Sequence, residues 1–263
     1  MRNMKSVAIS AIALAVLTLG IAGIIPAQDN NPYRQEFHQT YPLNPTGQLS
    51  LENINGSVQI TGWDRNEVKV DAVKSASSQD TLDRIKIDVE SSPNGVYIKT
   101  EFPNHLFEHD GNWRVNYTLM VPKRAAIDKV DLVNGGLVVR NISGDVRASS
   151  VNGPIDARDL SGAVHLSAVN GPVEASFSNQ RLSDPVSVST VNGPITVTLP
   201  PGVHASVIAK TINGGIDNSF GMQVTGRLVG HSLEGSIGNG GSQIDLKSVN
   251  GAVHIRSNSQ EVE

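Results

Sequence analysis

Apolar and polar residues alternate with a period of two along most of the chain after residue 47, which predicts strands rather than helices. The alternation is clear at Val58/Ile60, Val68/Val70/Ala72, Ile85/Ile87/Val89, Val96/Ile98 and Val115/Tyr117/Leu119/Val121. Turn signals at Asn94-Gly95 and Asp110-Gly111 read as antiparallel hairpins between such runs. From residue 133 the alternation is locked to a repeated turn. No segment after residue 27 shows a helical period.

That turn is aliphatic-Asn-Gly. It occurs at Val133-Asn134-Gly135, Val151-Asn152-Gly153, Val169-Asn170-Gly171, Val191-Asn192-Gly193, Ile212-Asn213-Gly214 and Val249-Asn250-Gly251. A degenerate copy, Leu233-Glu234-Gly235, fills the one gap. Successive glycines then stand 18, 18, 22, 21, 21 and 16 residues apart. A period near 20 predicts a solenoid, because one coil cannot bury its apolar face without a neighbour. Ser143-Gly144 and Ser161-Gly162 divide two coils into halves, so each coil has two corners and two short strands. Two residues past the glycines come Leu137, Ile155, Val173, Ile195, Ile216, Ile237 and Val253. These are expected to form one interior column in chain order. Asp156, Glu174 and Thr196 lie between interior positions and are expected to face water.

Backbone sterics explain the corners. Glycine tolerates a positive φ or a close backbone approach, and asparagine is the next most tolerant residue. Asn134, Asn152, Asn170, Asn192, Asn213 and Asn250 are therefore read as a structural ladder, hydrogen-bonded from coil to coil. Pro154, Pro172 and Pro194 follow three of the glycines, at the first position of a strand where no ladder donor is needed. Ile54-Asn55-Gly56 already carries the motif, so the solenoid is expected to begin there, with the hairpins inserted or acting as its N-terminal cap. The predicted fold is thus all-β: a β-solenoid over residues 133–257, with residues 47–132 as an N-terminal antiparallel hairpin region that caps it or is inserted in it. Residues 28–46 read as a linker and 258–263 as a polar tail.

The first 27 residues have a different character. Arg2 and Lys5 precede an uncharged run ending at Ala27, the layout of a secretory signal. An uncleaved anchor is the alternative, since Val7 to Ile25 is nearly long enough to span a bilayer. Either reading makes the protein exported: periplasmic, at the cell surface or secreted. Membrane contact is expected only if this segment is retained. Without it, 19 Lys and Arg stand against 25 Asp and Glu, a net charge of −6. That balance argues against nucleic acid as a partner. The chain has no cysteine, which excludes disulfides, thiol catalysis and cysteine metal sites.

The order Leu49-Ser50-Leu51-Glu52-Asn53-Ile54-Asn55-Gly56, then Ile60-Thr61-Gly62-Trp63-Asp64, then Val-Asn-Gly-Pro-Ile/Val coils resembles the bacterial "putative adhesin" domain family. That family was first catalogued as a domain of unknown function. The resemblance covers roughly residues 45–257 and implies a β-solenoid on exported or membrane-anchored proteins. It carries over no catalytic residue.

Three constellations could carry chemistry. His105-Leu106-Phe107-Glu108-His109 matches the inverted zinc-protease pattern by letters, but that pattern needs a helix. Pro103 before it and Asp110-Gly111 after it predict a loop, so no metal site is expected. Asp156, Arg158 and Glu174 form an outward cluster. Strands ~4.8 Å apart would set the two carboxylates near the spacing of a retaining glycosidase. The plainer reading is a solvated face on which Arg158 neutralises both acids. His165 and His254 are expected on the outside, and Trp63 and Trp113 against the core. The chain is therefore expected to be a non-enzymatic, cofactor-free envelope module that binds a protein or glycan. A carbohydrate-active enzyme and an envelope-stress regulatory component are the alternatives.

Overall fold

Each Asn-Gly corner carries the chain from one β-sheet to the other, and the corners stack. The structure is a computed structural model and describes residues 31–101, 112–178, 182–226 and 230–258. The signal-like segment 1–27, the His105–His109 run, the Asp110-Gly111 turn and the tail beyond 258 lie outside the described residues.

Strands β1 (Tyr33–Pro42), β2 (Gln48–Asn55), β3 (Val58–Trp63) and β4 (Glu67–Ala76) precede a short helix, α1 (Gln79–Arg84). Then come β5 (Lys86–Ser92), β6 (Gly95–Glu101) and β7 (Trp113–Pro122). The central coils are β8 (Ala126–Asn134) with β9 (Leu137–Ile142), and β10 (Val146–Asn152) with β11 (Ile155–Leu160). They continue as β12 (Val164–Asn170) with β13 (Val173–Phe177), and β14 (Val186–Asn192) with β15 (Ile195–Leu199). The C-terminal strands are β16 (Ala205–Asn213), β17 (Ile216–Asn218) and β18 (Val224–Gly226), followed by β19 (His231–Ile237), β20 (Ser242–Asn250) and β21 (Val253–Ser257).

Sheet A runs β1-β4-β7-β3-β9-β11-β13-β15-β21-β17, and sheet B runs β18-β19-β16-β20-β14-β12-β10-β8-β2-β6-β5. The coils pair in parallel, and the fold is the expected all-β solenoid. Leu137, Ile155, Val173, Ile195 and Val253 form a fully buried interior column. Each packs on its register partner in the next coil.

The stacking order departs from the chain order. β15 pairs with β21, so Ile195 lies beside Val253, and Ile216 on β17 comes one strand further out. The Leu233-Glu234-Gly235 segment is no corner. It belongs to β19, which runs antiparallel to β16 and sets Leu233 opposite Ala209. Ile237 accordingly lies on sheet B opposite Ala205, outside the sheet A column. The physical reason is edge protection. The β18–β19 hairpin covers the open side of β16, the last coil is slotted inside, and the edge of sheet A is reduced to three-residue β17.

Two further expectations change near the N-terminus, the linker and the absence of a helix. The segment 28–46 holds β1, which pairs antiparallel with β4 over its whole length; its polar side chains are those of an exposed edge strand. The first coil is β2–β3, stacked directly on β8–β9, so the solenoid begins at the Ile54-Asn55-Gly56 corner. Beyond that coil, β6 and β7 extend the two sheets in parallel, and β5 and β4 cover them antiparallel. Helix α1 has no period because it is barely one turn and a half; Ser78 caps it by accepting a hydrogen bond from the Thr81 amide.

The corner glycines are needed for close approach, and three of them, Gly56, Gly135 and Gly153, also have a positive φ. A Cβ on Gly171 would sit 2.4 Å from the Gly153 carbonyl oxygen, and one on Gly251 would sit 1.9 Å from that of Gly193. Neither glycine has a positive φ. Coils ~4.8 Å apart leave no room for a methyl group where their corners cross.

Candidate binding surface

The corner asparagines form an unbroken ladder. Asn134 Nδ2 donates to Asn55 Oδ1 at 2.9 Å, and Asn152 to Asn134 at 2.9 Å. Asn170 donates to Asn152 and Asn192 to Asn170, each at 2.8 Å. Asn250 then donates to Asn192 at 2.8 Å, and Asn213 to Asn250 at 2.7 Å. Two residues before Asn192, Asn250 and Asn213, buried hydroxyls support the same corner. Thr190 and Ser248 each donate to the glycine carbonyl of the preceding coil in the stack, Gly171 and Gly193, both at 3.2 Å. Thr211 does so to Gly251 at 2.8 Å. With their amides committed to one another, the asparagines serve the scaffold.

The outward face of sheet A carries the sequence-predicted charges. One row crosses all ten strands through register partners: His38, Asp71, Thr118, Gln59, Val138, Asp156, Glu174, Thr196, His254 and Asp217. Asp156, Arg158 and Glu174 do come together. Arg158 Nε donates to Asp156 Oδ1 at 2.6 Å, while its other end reaches Glu174 at 3.5 Å. Arg140 approaches the second oxygen of Asp156 at 3.5 Å. The bond to Asp156 holds the Arg158 guanidinium above its ordinary pKa. A glycosidase acid needs a carboxyl kept protonated by burial or by a like-charged neighbour. Here a guanidinium bonded to Asp156 also reaches Glu174.

Two other pairs continue this pattern. His38 bonds Asp71 at 2.8 Å and Glu36 at 3.1 Å, and Lys69 bonds Asp71 at 2.6 Å. At the far end His254 bonds Asp217. His254 is therefore outward, as its position predicts, but paired. Trp113 is buried; Trp63 is half-buried, donates from Nε1 to the Glu67 carbonyl at 2.8 Å, and carries Arg65 4.9 Å above its ring. Among the described residues no helix is long and apolar enough to cross a membrane.

One surface feature escaped the sequence reading. The aliphatic residue of each motif is not in the core. Val133, Val151, Val169, Val191, Val249 and Ile212 are 37–50% exposed and lie in one line on the outer side of sheet B. The signal was parity. The buried residue in each motif stands two before the asparagine, as at Ser150, Thr190 and Ser248, so the residue immediately before it must point outward.

No curated protein matches the chain significantly. Among solved structures, a "putative cell adhesion protein" of Clostridium sporogenes is 14% identical, with 85% of this chain and all of that one covered and a TM-score of 0.47. A "putative adhesin" of Bacteroides fragilis is 8% identical over 89% of this chain and all of that one, with a TM-score of 0.30. Another, from Parabacteroides merdae, is 6% identical over 84% of this chain and 97% of that one, also at 0.30. The model of the Toastrack DUF4097 family matches residues 40–256, and the chain belongs to that family.

Proposed function

We propose that this Toastrack protein is a non-catalytic, adhesin-like module of the cell envelope that binds a protein or glycan partner through the outward face of its solenoid. The observation that carries the reading is the Arg140–Asp156–Arg158–Glu174 network. It leaves the most enzyme-like carboxylates ion-paired to arginines on the outward face of sheet A. Such a face offers ordered rows of charges and hydroxyls at strand spacing, which suits recognition of an extended partner. The signal-like layout of residues 1–27 supports export.

Affinity capture from envelope extracts and a glycan array, with turnover assayed on each glycan that binds, test the reading. A saturable partner with no turnover is expected. Asp156→Asn with Glu174→Gln is expected to leave the fold unchanged. A glycan-cleaving activity that disappears in this double variant would overturn the proposal and restore the carbohydrate-active alternative.

A further inference from the structure

The outer face of sheet B carries a charge order that the Asn ladder does not require. Three residues before each corner asparagine, one row runs through register partners Glu52, Asp131, Ser149, Ser167, Ser189, Lys247 and Lys210. It is acidic at one end, neutral over three hydroxyls and basic at the other. Beside it runs the exposed aliphatic line, from half-buried Ile54 through Val133, Val151, Val169, Val191 and Val249 to Ile212. Both rows have seven rungs, and both centre on the β12 rung, at Ser167 and Val169.

From this arrangement we infer that the protein forms a symmetric homodimer through the outer faces of sheet B. A two-fold axis lying along β12 keeps each row opposite its own copy and reverses the rung order. Glu52 then faces Lys210 of the second copy, Asp131 faces Lys247, and Ser149 faces Ser189. The aliphatic lines meet valine on valine, with Val169 against itself. In the next outward row Lys129 on the second rung and Asp245 on the sixth have opposite charge, while Arg147 on the third would face Ser187 on the fifth.

The local ion pairs are compatible with this packing. Lys129 bonds Glu52 at 2.6 Å and Asp131 at 3.1 Å, and Lys247 bonds Asp245 at 2.7 Å. Lys129 thus serves two carboxylates at the acidic end, and Lys99, the register partner of Glu52 on β6, stands just beyond them. At the basic end, Lys247 bonds Asp245, and Lys210 is the register partner of Lys247.

Shape agrees at the ends. A cavity of about 490 Å³ beside the basic end is lined by Lys210, Ile212, His231, Lys247 and Val249. It offers cations and an apolar wall where Glu52 and Ile54 of the second copy would arrive. Seven rungs at ~4.8 Å and three outward rows give a patch of about 600 Å² per copy, at the lower end of specific interfaces. A dimer of roughly micromolar affinity is expected. It leaves both sheet A faces open, so it does not depend on the partner proposed above.

Sedimentation velocity over a concentration series, with no other protein present, tests the inference. The wild type should dimerise and weaken as salt rises. Lys210→Glu and Glu52→Lys should each weaken the dimer about tenfold, and the two together should restore it to within a few-fold of wild type. Val169→Asp sets two carboxylates across the axis and should abolish dimerisation. If that variant melts early, the charge-swap set still decides. Because the chain has no cysteine, Val169→Cys places a single thiol at the axis. A bismaleimide about 10 Å long should link two copies there, but not two copies of Thr196→Cys on sheet A. A protein that stays monomeric to several hundred micromolar, a double swap no better than the singles, or a Thr196→Cys variant that cross-links as well as Val169→Cys would each overturn the inference.

Discussion

Asn192 and Asn250 are 58 residues apart in the chain and joined side chain to side chain at 2.8 Å. That bond marks where the last coil slots between two coils that precede it. It also makes Asn250 an interior rung, bonded on its other side to Asn213, which is the last rung of the ladder.

The ladder therefore predicts unequal costs. Asn250→Ala removes two amide bonds and should destabilise by about 1–2 kcal/mol, whereas Asn213→Ala removes one and should cost about half as much. Urea melts of the two variants check this. Equal losses would mean that the ladder does not carry the corner.

Corner crossing predicts a second contrast. Gly171→Val must displace the Gly153 carbonyl and should cost about 1–3 kcal/mol. Gly215→Ala, where nothing lies within 4 Å of the added carbon, should be nearly neutral. Thermal melts report the difference, and an unchanged melting temperature for Gly171→Val would remove the close-approach argument.

Interior and exterior positions should differ sharply between neighbours. Ile195 is fully buried between Val173 and Val253, so Ile195→Asp should cost several kcal/mol, on the order expected for an unpaired buried carboxyl. Thr196→Asp places its charge in the solvent-facing outward row, between Glu174 and His254, and should cost far less than Ile195→Asp. Equal tolerance at 195 and 196 would contradict the strand assignment.

The β1–β4 edge should respond to pH. Hydrogen bonds from His38 to Asp71 first, and to Glu36 next, raise the imidazole above its ordinary pKa of 6.5. Burial pushes the Asp71 carboxyl up, but Lys69 and His38 together outweigh it and hold the group below its usual range. The His38 contribution is complete below about pH 6.5 and is lost as pH rises through the higher folded midpoint. The Asp71 contribution is present above about pH 4 and is lost as pH falls through its lowered midpoint. Both act together between those limits. In an NMR titration, Asp71→Asn should lower the His38 midpoint; an unmoved midpoint would separate the two groups.

The sequence made the solenoid legible because Asn-Gly corners and period-two alternation are local signals. Leu137, Ile155, Val173 and Ile195 were assignable from spacing alone. Coil order was not, because every corner carries the same chemistry and Asn192 can bond Asn213 as readily as Asn250. What separates them is the β18–β19 hairpin at the edge of β16, a tertiary constraint with no local pattern. β1 was hidden for a related reason: an exposed edge strand has no apolar alternation to show. At the candidate site, the grouping of Asp156, Arg158 and Glu174 followed from the repeat. The exposed valine line did not, because an aliphatic residue in a repeated motif reads as core until its parity is counted.

The outward rows on which both proposals rest depend on the coil order, and a disulfide test reads that order directly. The chain has no native cysteine, so introduced pairs report without interference. Thr196 and His254 are register partners on adjacent strands, within the Cα separation that a disulfide can bridge. Thr196 and Asp217 are two strands apart, at about 10 Å, which is too far. Mass spectrometry of the oxidised proteins should find an intramolecular disulfide in Thr196→Cys/His254→Cys and free thiols in Thr196→Cys/Asp217→Cys. A disulfide in the second pair and none in the first would show that the coils stack in chain order.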